Sequence, residues 1–562
     1  MTETRDRSLR FMLPAVVALA MLGLVAGIFT LPILDRDEPR FGHAALEMMR
    51  RGDFTVPWFN DLPRLAKPPL SYWWMIANVK LFGASEWAVR LHSALAACGV
   101  AGVLASFGKR LTGRWQPGLL TAGAWLTALQ TGMQGRVCTA DMVLVLAVTL
   151  AMRALWELLY PAPSAGRGWW WAFWLSMAAG FLAKGPVAWA VPLLAGLIHA
   201  WRSRKDPGST RKPPHLAAGI LLCLALCAAW GIPALIATHG RFFSEGVGHD
   251  IVERGTTSLN GRLYLPGVFY LVTIPISLLP WTPLLPAALR RFREATPEAR
   301  FLSAWLLAPF LIFSFYATQL PHYVLPGLPA FFLLALCRPA TTRPHPAWTF
   351  LSAALPLLGA GLALTPALKM PDLPTLADPR AALVYIAGFF FCLGIASLLV
   401  GRNRPMAAIA LVALAGFLTL PGGRVFTRMN PTVLAVDGID RQTPSKPIGV
   451  GYTEPSLVWC SDRIWRFASG WKDAADTSSW RVVQLRSWDA SAKNYQALIS
   501  GKLPETPSRD FRPKLAEAGV GDELAHARVI HAWNLATSNW VELAVIPPAT
   551  APVTATTDTA AN

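Results

Sequence analysis

The densest set of reactive side chains follows the first apolar segment: Asp35, Arg36, Asp37, Glu38, Pro39 and Arg40. Its three carboxylates lie within four residues, where the proline favours the first turn of a helix. A helix N-terminus attracts anionic side chains through its dipole, so helix capping is one interpretation of this segment. The functional interpretation is a carboxylate at the mouth of a membrane cavity, where it positions an acceptor or a cation.

Two cations and a tyrosine in separate loops have side chains suited to hold a phosphate. Lys67 precedes two prolines, which restrict the backbone and aim the lysine. Arg254 lies in a polar loop, and Tyr323 lies in the short turn Leu320–Pro326. Each also has an ordinary interpretation, namely an interfacial lysine, an arginine in a salt bridge with Asp250, and an interfacial tyrosine.

Three further charged residues lie within or beside apolar segments: Arg136, Asp141 and Lys184. A carboxylate inside an apolar helix is costly and is by default a functional hypothesis. With the helix order given below, these residues and the loop residues fall on the outer side of the membrane. The positive-inside rule would place the cations on the other side. The convergence therefore indicates a functional site at the outer boundary.

The elements that must position these residues are membrane helices. Hydrophobic residues make up 53% of the 562 residues and charged residues 15%, whereas soluble domains carry about 25% charged residues. A span needs about 20 apolar residues. We predict about thirteen spans, near residues 11–32, 88–107, 116–132, 138–158, 169–183, 186–201, 215–238, 264–289, 300–317, 321–337, 347–367, 381–400 and 405–420. The run 169–201 is divided at Gly185, because a single helix would break the alternation of charge between loops.

The formal charge of +18 suggests a nucleic-acid partner, but the positions of the basic residues argue against one. They concentrate in every second loop, whereas the other loops are balanced: residues 31–87 hold seven basic and seven acidic side chains. This is the positive-inside pattern. It predicts a cytoplasmic N-terminus and, with an odd number of spans, a C-terminal segment outside.

The long outer loop 33–87 is predicted to contain two interfacial helices. Pro39–Arg51 has an apolar face of helical period, and Pro69–Phe82 is rich in aromatic residues. Helices of both kinds tend to lie in the plane of the membrane interface.

The composition changes after the last apolar segment. Short apolar runs alternate with turns at Ile448–Val450, Leu457–Trp459, Val482–Leu485 and Trp540–Ile546, and helical patterns cover 488–500 and 512–519. Short strands with intervening helices predict a small α/β domain. The predicted domains are a transmembrane domain of residues 1–430, a soluble α/β domain of residues 431–547, and a disordered tail of residues 548–562.

The seven cysteines indicate neither a disulfide framework nor a metal site. Six lie in apolar segments, where a small buried hydrophobe is the ordinary interpretation. Cys460 stands alone in the C-terminal region.

Several short motifs occur in a characteristic order. They are Asp37–Arg40 (DEPR), Gly52–Pro57 (GDFTVP), Lys67–Trp73 (KPPLSYW), Leu81–Gly83 (LFG), Arg90-Leu91, Lys184–Pro186 (KGP) and Leu320–Pro326 (LPHYVLP). In this order they resemble the bacterial ArnT-like and protein-mannosyltransferase-like glycosyltransferases of GT-C fold, over about residues 10–430. The resemblance is strongest to 4-amino-4-deoxy-L-arabinose transferases, which modify lipid A.

The resemblance implies an undecaprenyl-phosphate-linked sugar as donor, lipid A as acceptor and inversion at the anomeric carbon. It implies that Asp37 is the catalytic carboxylate and that Lys67, Arg254 and Tyr323 hold the polyprenyl phosphate. The other residues predicted to contact substrate are Glu38, Arg40, Arg136, Asp141 and Lys184. This chemistry is reasonable, because departure of a lipid phosphate needs cationic stabilisation and a hydroxyl acceptor needs a general base.

The protein expected from the resemblance is a monomeric, multi-pass protein of the bacterial inner membrane. Its active site and its C-terminal domain would face the periplasm, in contact with membrane lipids. Some relatives carry a glutamate before Lys-Pro-Pro that contributes to a metal site, and this chain has Ala66 there. We therefore expect no required cofactor, and a divalent metal stays open as an alternative.

Two other functions are alternatives. The first is a GT-C transferase with a protein or another glycan as acceptor. The second is a lipid or sugar transporter, which would place charged residues near the bilayer midplane, in broken helices or internal repeats. The sequence has no evident repeat and its candidate charges collect at one boundary, so transport is less favoured.

Overall fold

The computed structural model describes residues 2–33, 35–162, 166–204, 215–257, 266–337, 344–369, 379–440, 443–489, 506–534, 537 and 539–549. The chain forms two compact units. The helical unit comprises Met1–Leu31, Ala44–Leu364 and Val384–Gly423, and the C-terminal unit comprises Pro32–His43, Thr365–Leu383 and Arg424–Asn562. The predicted disordered tail lies outside the described residues from residue 550 onward.

The described chain as far as residue 429 is mostly α-helical. Its first ten helices are α1 (Thr2–Ala26), α2 (Asp37–Arg51), α3 (Leu70–Phe82), α4 (Glu86–Thr112), α5 (Trp115–Thr127), α6 (Leu129–Gln134), α7 (Asp141–Leu159), α8 (Gly168–Lys184), α9 (Val187–Ser203) and α10 (Leu216–Ala237). A short hairpin of β1 (Trp58–Phe59) and β2 (Leu62–Pro63) lies between α2 and α3.

The later helices are shorter and more often interrupted. They are α11 (Arg241–Phe243), a π-helical segment (Ser244–Glu253), α12 (Arg254–Thr256), α13 (Phe269–Ser277), α14 (Leu285–Arg290), α15 (Pro297–Phe313), α16 (Leu328–Leu336), α17 (Pro346–Lys369), α18 (Pro379–Gly401), α19 (Pro405–Gly416) and α20 (Thr419–Met429). Three 3-10 segments join them: Thr282–Leu284, Arg291–Arg293 and Pro321–Gly327.

Six helical segments of the described chain are long and apolar enough to cross a membrane. They are Glu86–Thr112, Asp141–Leu159, Leu216–Ala237, Pro346–Leu364, Arg380–Gly401 and Pro405–Met429. In α10 only 22% of the apolar window is buried inside the protein, and Leu221 is 70% exposed. An apolar surface of this extent is suited to lipid rather than to water. The predicted polytopic α-helical membrane fold is confirmed, whereas the number of thirteen spans stays a prediction.

The structure corrects three predicted spans. The segment 116–132 is divided at Ala128, whose backbone is extended. The span predicted at 264–289 is broken between Ser277 and Leu285, where prolines recur and cannot donate to a helix. The span predicted at 321–337 begins with the 3-10 turn Pro321–Gly327, so its α-helix starts at Leu328.

The division of the apolar run 169–201 is confirmed. Helix α8 ends at Lys184, and α9 begins at Val187. Gly185 between them has φ +81°, a conformation that costs little only for glycine. The turn therefore depends on the glycine of the Lys-Gly-Pro motif.

Small residues allow the central helices to approach closely. A Cβ added at Gly118 of α5 would lie 2.1 Å from the carbonyl oxygen of Ala105 in α4. A Cβ added at Gly108 of α4 would likewise lie 2.4 Å from the Cα atom of Gly118. Close approach of backbones at small residues is the usual way in which helices associate in lipid.

Three fully buried tryptophans belong to the hydrophobic core of the helical unit. The Trp125 indole donates to the Ala97 carbonyl at 3.0 Å, and the Trp281 indole donates to the Thr127 hydroxyl at 3.2 Å. The Trp305 indole donates to the Pro326 carbonyl at 2.8 Å. Each ring therefore buries its apolar surface without leaving its N–H unpaired.

Charged residues lie at both ends of α7. Asp141 begins the helix, and Glu157 near its end accepts a hydrogen bond from Arg110 of α4 at 2.8 Å and forms an ion pair with Arg153. A 19-residue helix is about 28 Å long, close to the ~30 Å thickness of the hydrocarbon core. The positions of these charges therefore match the two boundaries of a bilayer.

The C-terminal unit contains a six-stranded sheet in the order β4-β3-β5-β8-β7, with β6 paired to β5. The strands are β3 (Ile448–Val450), β4 (Arg466–Phe467), β5 (Arg481–Asp489), β6 (Arg509–Asp510), β7 (Arg528–Asn534) and β8 (Asn539–Ile546). The helices are α21 (Pro431–Val436), α22 (Ser456–Ser461) and α23 (Arg512–Glu517). Strand β3 is parallel to β4 and β5, and β8 is antiparallel to β5 and β7.

Two predictions for this unit were wrong. The run Leu457–Trp459 was expected to be a strand but lies in helix α22, since short apolar runs do not distinguish the two. Residues 488 and 489, expected to begin a helix, continue strand β5. Residues 490–500 lie outside the described residues.

The contact between α4 and α5 yields a testable prediction. We expect Gly118→Ala to lower the free energy of unfolding by about 1–3 kcal/mol, because the new methyl group would force the two backbones apart. Gly102→Ala in α4 is the matched control, since no atom lies within 4 Å of its added Cβ. That control should be neutral or stabilising by up to about 1 kcal/mol. Equal thermal midpoints for both variants in detergent would contradict the prediction.

Candidate active site

Three segments that are distant in sequence meet around Asp141. Its carboxylate forms an ion pair with Lys184, and the imidazole Nε2 of His322 lies 3.8 Å from one carboxylate oxygen. The other oxygen accepts a hydrogen bond from the Thr139 hydroxyl at 2.9 Å. The Lys184 ammonium lies 5.5 Å from the centre of the Tyr323 ring, within the range of a cation–π contact.

This cluster is partly accessible. The side chains of Asp141, Lys184 and His322 are 11%, 17% and 23% exposed. Removal from water strengthens the attraction between opposite charges, and the hydrogen bonds satisfy the carboxylate oxygens. The arrangement presents an oriented cation and an aromatic ring, which together suit an anionic sugar phosphate.

Element boundaries position each member of the cluster. Asp141 is the first residue of α7, Lys184 is the last residue of α8, and His322 and Tyr323 lie in the 3-10 turn before α16. Helix ends carry functional groups to a bilayer boundary while their apolar bodies remain in lipid. Of the predicted site residues, the structure brings together Asp141, Lys184 and Tyr323.

His322 is a member of this cluster that sequence reasoning missed as a site residue. It lies directly before Tyr323 in the motif LPHYVLP. Its neighbour was singled out, whereas the histidine was regarded only as part of the motif. A titratable side chain next to a candidate binding residue was the available signal.

Arg254 begins the short helix α12, and its backbone neighbours lie against the segment that leads to Tyr323. The Ala317 N–H donates to the Gly255 carbonyl at 3.0 Å. A Cβ added at Gly255 would lie 3.0 Å from the Tyr316 ring, and that ring is 6.4 Å from the Tyr323 ring. The backbone segments that contain Arg254 and Tyr323, two predicted phosphate-binding residues, therefore contact each other.

Lys67 lies in the first loop just before α3, and its ammonium donates to the Ala66 carbonyl at 2.9 Å. A Cβ added at Gly246 would lie 3.1 Å from the nearby Leu65 carbonyl oxygen. Gly246 belongs to the π-helical segment that leads into Arg254. The first loop and the later outer loop therefore contact each other near both predicted cations.

The Arg136 side chain is hydrogen-bonded to backbone carbonyls of the helical unit. Its guanidinium donates to the carbonyls of Gly23 and Leu24 in α1, at 2.8 and 3.1 Å, and to the Gly132 carbonyl at 3.3 Å. A Cβ added at Gly27 would overlap this guanidinium. These contacts satisfy carbonyls at the end of α1, and they do not join Arg136 to the Asp141 cluster. Its role in substrate binding stays a prediction.

The first-loop residues Asp37, Glu38 and Arg40 lie in the first turn of α2, in the part assigned to the C-terminal unit. Asp37 is exposed, Glu38 is 3% exposed and Arg40 is half-buried. The two acids gain stability from the helix dipole. Their predicted roles in catalysis and substrate binding stay predictions.

Asp35, two residues before α2, is bound within the C-terminal unit. Its carboxylate accepts hydrogen bonds from the Ser456 N–H at 2.8 Å and from the Ser456 hydroxyl at 2.7 Å. Burial and the nearby Glu454 carboxylate raise the pKa of Asp35 from 3.8 to about 7. The Ser456 hydrogen bonds and Arg40 oppose this pKa shift without cancelling it.

Potential metal ligands do not cluster in the described part of the chain. No group of three or more histidine, cysteine, aspartate or glutamate side chains there could hold a metal ion. Ala66, at the position before Lys-Pro-Pro, has no ligand atom in its side chain. The alternative of a divalent metal stays a prediction.

Comparison with known proteins supports the resemblance. Residues 66–232 match the family model described as dolichyl-phosphate-mannose-protein mannosyltransferase. The chain is also similar to proteins named undecaprenyl phosphate-alpha-4-amino-4-deoxy-L-arabinose arabinosyl transferase. The one from Pseudomonas paraeruginosa is 30% identical, and the match covers 52% of this chain and 53% of that protein. The one in Aeromonas salmonicida has 30% identity over 52% and 54% of the two chains. The chain spans about half the length of the curated relatives it matches.

The fold is similar along almost the whole chain. The crystal structure of ArnT from Cupriavidus metallidurans bound to undecaprenyl phosphate has a TM-score of 0.69 at 20% identity, and the match covers 88% of this chain and 96% of that one. Its apo state has a TM-score of 0.68, with 94% and 97% covered. The chain therefore has the fold of a polytopic GT-C membrane protein. Within that class it is ArnT-like in both sequence and fold, which confirms the predicted resemblance.

The Asp141–Lys184 ion pair generates a prediction about stability. Asp141→Asn and Lys184→Gln should each lower the free energy of unfolding by about 3 kcal/mol, the lower end of the range for buried pairs, because each leaves a largely buried charge without its nearest opposite charge. The double variant should lose less than the sum of the two single losses. The exposed pair Arg241–Glu245 is the control, with Glu245→Gln costing at most about 1 kcal/mol. Additive losses in denaturation assays would contradict coupling of the two charges.

The raised pKa of Asp35 predicts a pH dependence of stability. Between pH 3.8 and about 7 the folded protein holds a proton that the unfolded chain releases. The corresponding stabilisation is complete below pH 3.8 and is lost as the pH rises through about 7. The thermal midpoint of the wild type should therefore fall more steeply over this range than that of Asp35→Asn. Asp37→Asn, at an exposed position, is the control, and parallel curves for wild type and Asp35→Asn would refute the assignment.

Proposed function

We propose that this protein is an integral-membrane glycosyltransferase that uses a sugar linked to undecaprenyl phosphate. The sugar is 4-amino-4-deoxy-L-arabinose and the acceptor is lipid A. Transfer takes place on the periplasmic side of the bacterial inner membrane, with inversion at the anomeric carbon. The enzyme acts as a monomer among membrane lipids and has no required cofactor, with a divalent metal as the open alternative.

The observation that carries this proposal is the cluster of Asp141, Lys184, His322 and Tyr323 in a fold shared with ArnT. Its members come from three distant segments, and each lies at the end of a helix or in a turn. Similar relatives are named for transfer from undecaprenyl phosphate-linked aminoarabinose. Chemistry and similarity therefore support the same class of reaction.

The donor's leaving group is a lipid phosphate, which becomes more negative as the glycosidic bond breaks. Lys184, Lys67 and Arg254 are the cations assigned to this phosphate, and cations fixed in place stabilise developing charge without reorganisation. The Lys184 ammonium is held by its ion pair with Asp141 and by a cation–π contact with the Tyr323 ring. In this assignment Asp141 positions a cation and does not itself react.

Asp37 is assigned to the acceptor. If the acceptor atom is a hydroxyl oxygen, the carboxylate removes its proton as the new bond forms. If it is a phosphate oxygen of lipid A, the atom is already anionic, and the carboxylate then orients the acceptor. Glu38 and Arg40, in the same turn of α2, are assigned to acceptor binding.

A second candidate function is transfer to a protein or to another glycan. The match of residues 66–232 to the dolichyl-phosphate-mannose-protein mannosyltransferase family favours this alternative. It uses the same lipid phosphate chemistry on the donor side, and the two functions differ only in the acceptor.

The acceptor can be identified by mass spectrometry of lipid A from cells with and without the gene. We expect a gene-dependent mass increase corresponding to one or more aminoarabinose groups. If lipid A is unchanged while a glycan or protein loses a sugar in the deletion strain, the second candidate is correct.

The assignment of Asp37 gives a direct prediction. Asp37→Asn should lower transfer from undecaprenyl-phosphate-linked sugar by at least about 100-fold, the usual range for loss of a general base, with normal expression and thermal midpoint. Asp522→Asn, at an exposed position of the C-terminal unit, is the matched control and should retain full activity. Near-normal transfer by Asp37→Asn would refute the assigned role.

A further inference from the structure

Asp35 is the end of a buried polar network within the C-terminal unit. Its partner Ser456 is fully buried, and the Ser456 hydroxyl also lies 2.7 Å from the Thr432 hydroxyl. The Thr432 hydroxyl is in turn 2.7 Å from the Tyr452 hydroxyl. Buried networks of this kind are strong when every member is satisfied, because an unmade hydrogen bond in the interior is costly.

Two further contacts join the segment Pro32–His43 to the neighbourhood of helix α22. A Cβ added at Gly42 would lie 2.8 Å from the Trp459 ring, so helix α2 packs directly on that indole. The His43 Nδ1 atom lies 3.9 Å from an Asp462 carboxylate oxygen. The residues just before and just after the Asp37–Arg40 turn are therefore both held by α22 and its flanks.

Helix α22 is itself fixed to the sheet of the C-terminal unit. It connects the parallel strands β3 and β4, as the helix of a βαβ unit does. The Trp465 indole donates to the Ser461 hydroxyl at 2.8 Å. The Asn534 amide of β7 donates to Glu454, just before the helix, at 3.2 Å. The residues that contact the first loop therefore belong to an element that is hydrogen-bonded to its own flank and to the sheet.

We propose that helix α22 positions the catalytic first loop. The two positioning residues are Asp35 in the first loop and Ser456 at the start of α22. This inference rests on the proposed function, and it assigns a role in transfer to the C-terminal unit. Asp35 contacts no reacting atom in this assignment. It fixes the start of α2, on which Asp37, Glu38 and Arg40 are carried.

The expected consequence follows from the short distance along the chain. Asp37 is two residues from Asp35, so loss of the Ser456 contact lets the catalytic carboxylate move. Misplacement of a reacting group by about 1 Å can cost about 100-fold in rate. Binding of the donor, assigned to Lys67, Arg254 and Tyr323, should be affected much less.

The test uses the full-length protein with Asp35→Ala, Asp35→Asn, Ser456→Ala and the double variant Asp35→Ala/Ser456→Ala. Asp35→Asn is the conservative replacement, because its amide oxygen still accepts a hydrogen bond from Ser456. The chain offers a control in Asp476 and Ser478, where a partly exposed carboxylate also accepts from a serine N–H, at 3.0 Å, and from its hydroxyl. Ser478→Ala removes the same serine hydroxyl from this turn, and Asp476→Ala removes the carboxylate together with its ion pair to Arg466.

Two measurements are made on each variant: the kinetics of sugar transfer from undecaprenyl phosphate, and amide hydrogen exchange of residues 36–43. We expect Asp35→Ala and Ser456→Ala to lower kcat roughly 10- to 100-fold with KM for the donor within about threefold. Asp35→Asn should retain more activity than Asp35→Ala. The double variant should be no worse than the poorer single variant, and exchange of residues 36–43 should be faster in all but the controls.

The inference is overturned if Asp35→Ala leaves both kcat and exchange within about twofold of the wild type. It is also overturned if the two single losses multiply in the double variant, since the residues would then act independently. Hydrogen exchange needs no substrate, so it tests the contact separately from the reaction. Absence of transfer in the wild type, with faster exchange in the variants, would refute the proposed function while supporting the positioning contact.

Discussion

A charged side chain can remain at the edge of an apolar helix bundle only if an opposite charge or a set of dipoles lies beside it. The ion pair between Asp141 and Lys184 meets this requirement where α7 begins and α8 ends. Because the pair requires both helix ends at the same level of the membrane, it also fixes the register of the two helices. His322 and Tyr323 are added to this level from a third segment, and the candidate site is built around it.

At the opposite end of α7 a charged side chain also has opposite charges beside it. Glu157 is paired with Arg110 and Arg153, and it lies about 24 Å from Asp141 along the axis of α7. Between them the helices pack through glycines and buried tryptophans, which bring no net charge into the hydrocarbon. The candidate site therefore lies at one of the two ends of α7, at each of which charged groups are paired.

Much of this organisation was predictable because the bilayer imposes strong rules. The alternating loop charges and the Lys-Gly-Pro interruption correctly divided α8 from α9, and the apolar periodicity correctly gave helices α2 and α3 in the first loop. The meeting of Asp141, Lys184 and Tyr323 was anticipated from topology alone, since all three were expected on one side.

The misses also have physical reasons. The hydrogen bonds from the Arg136 guanidinium to carbonyls of α1 were not foreseen, because sequence spacing does not encode such a contact; its role in substrate binding stays a prediction. Three predicted spans are broken or shortened, because apolar composition does not show where prolines or an extended residue end a helix. Leu457–Trp459 is helical because so short a run takes its structure from its surroundings. Asp35 was interpreted with its neighbours as part of a helix cap or of a functional carboxylate group, and its partner Ser456 is too distant in sequence to be inferred.

The hydrogen bonds between Asp35 and Ser456 join residues that are 421 positions apart. A ribosome must therefore complete most of the polypeptide before the first loop can acquire this partner. Until Ser456 has been made, the DEPR turn lacks these two hydrogen bonds. On this account, a chain truncated before Ser456 would lack the hydrogen bonds that hold the start of α2.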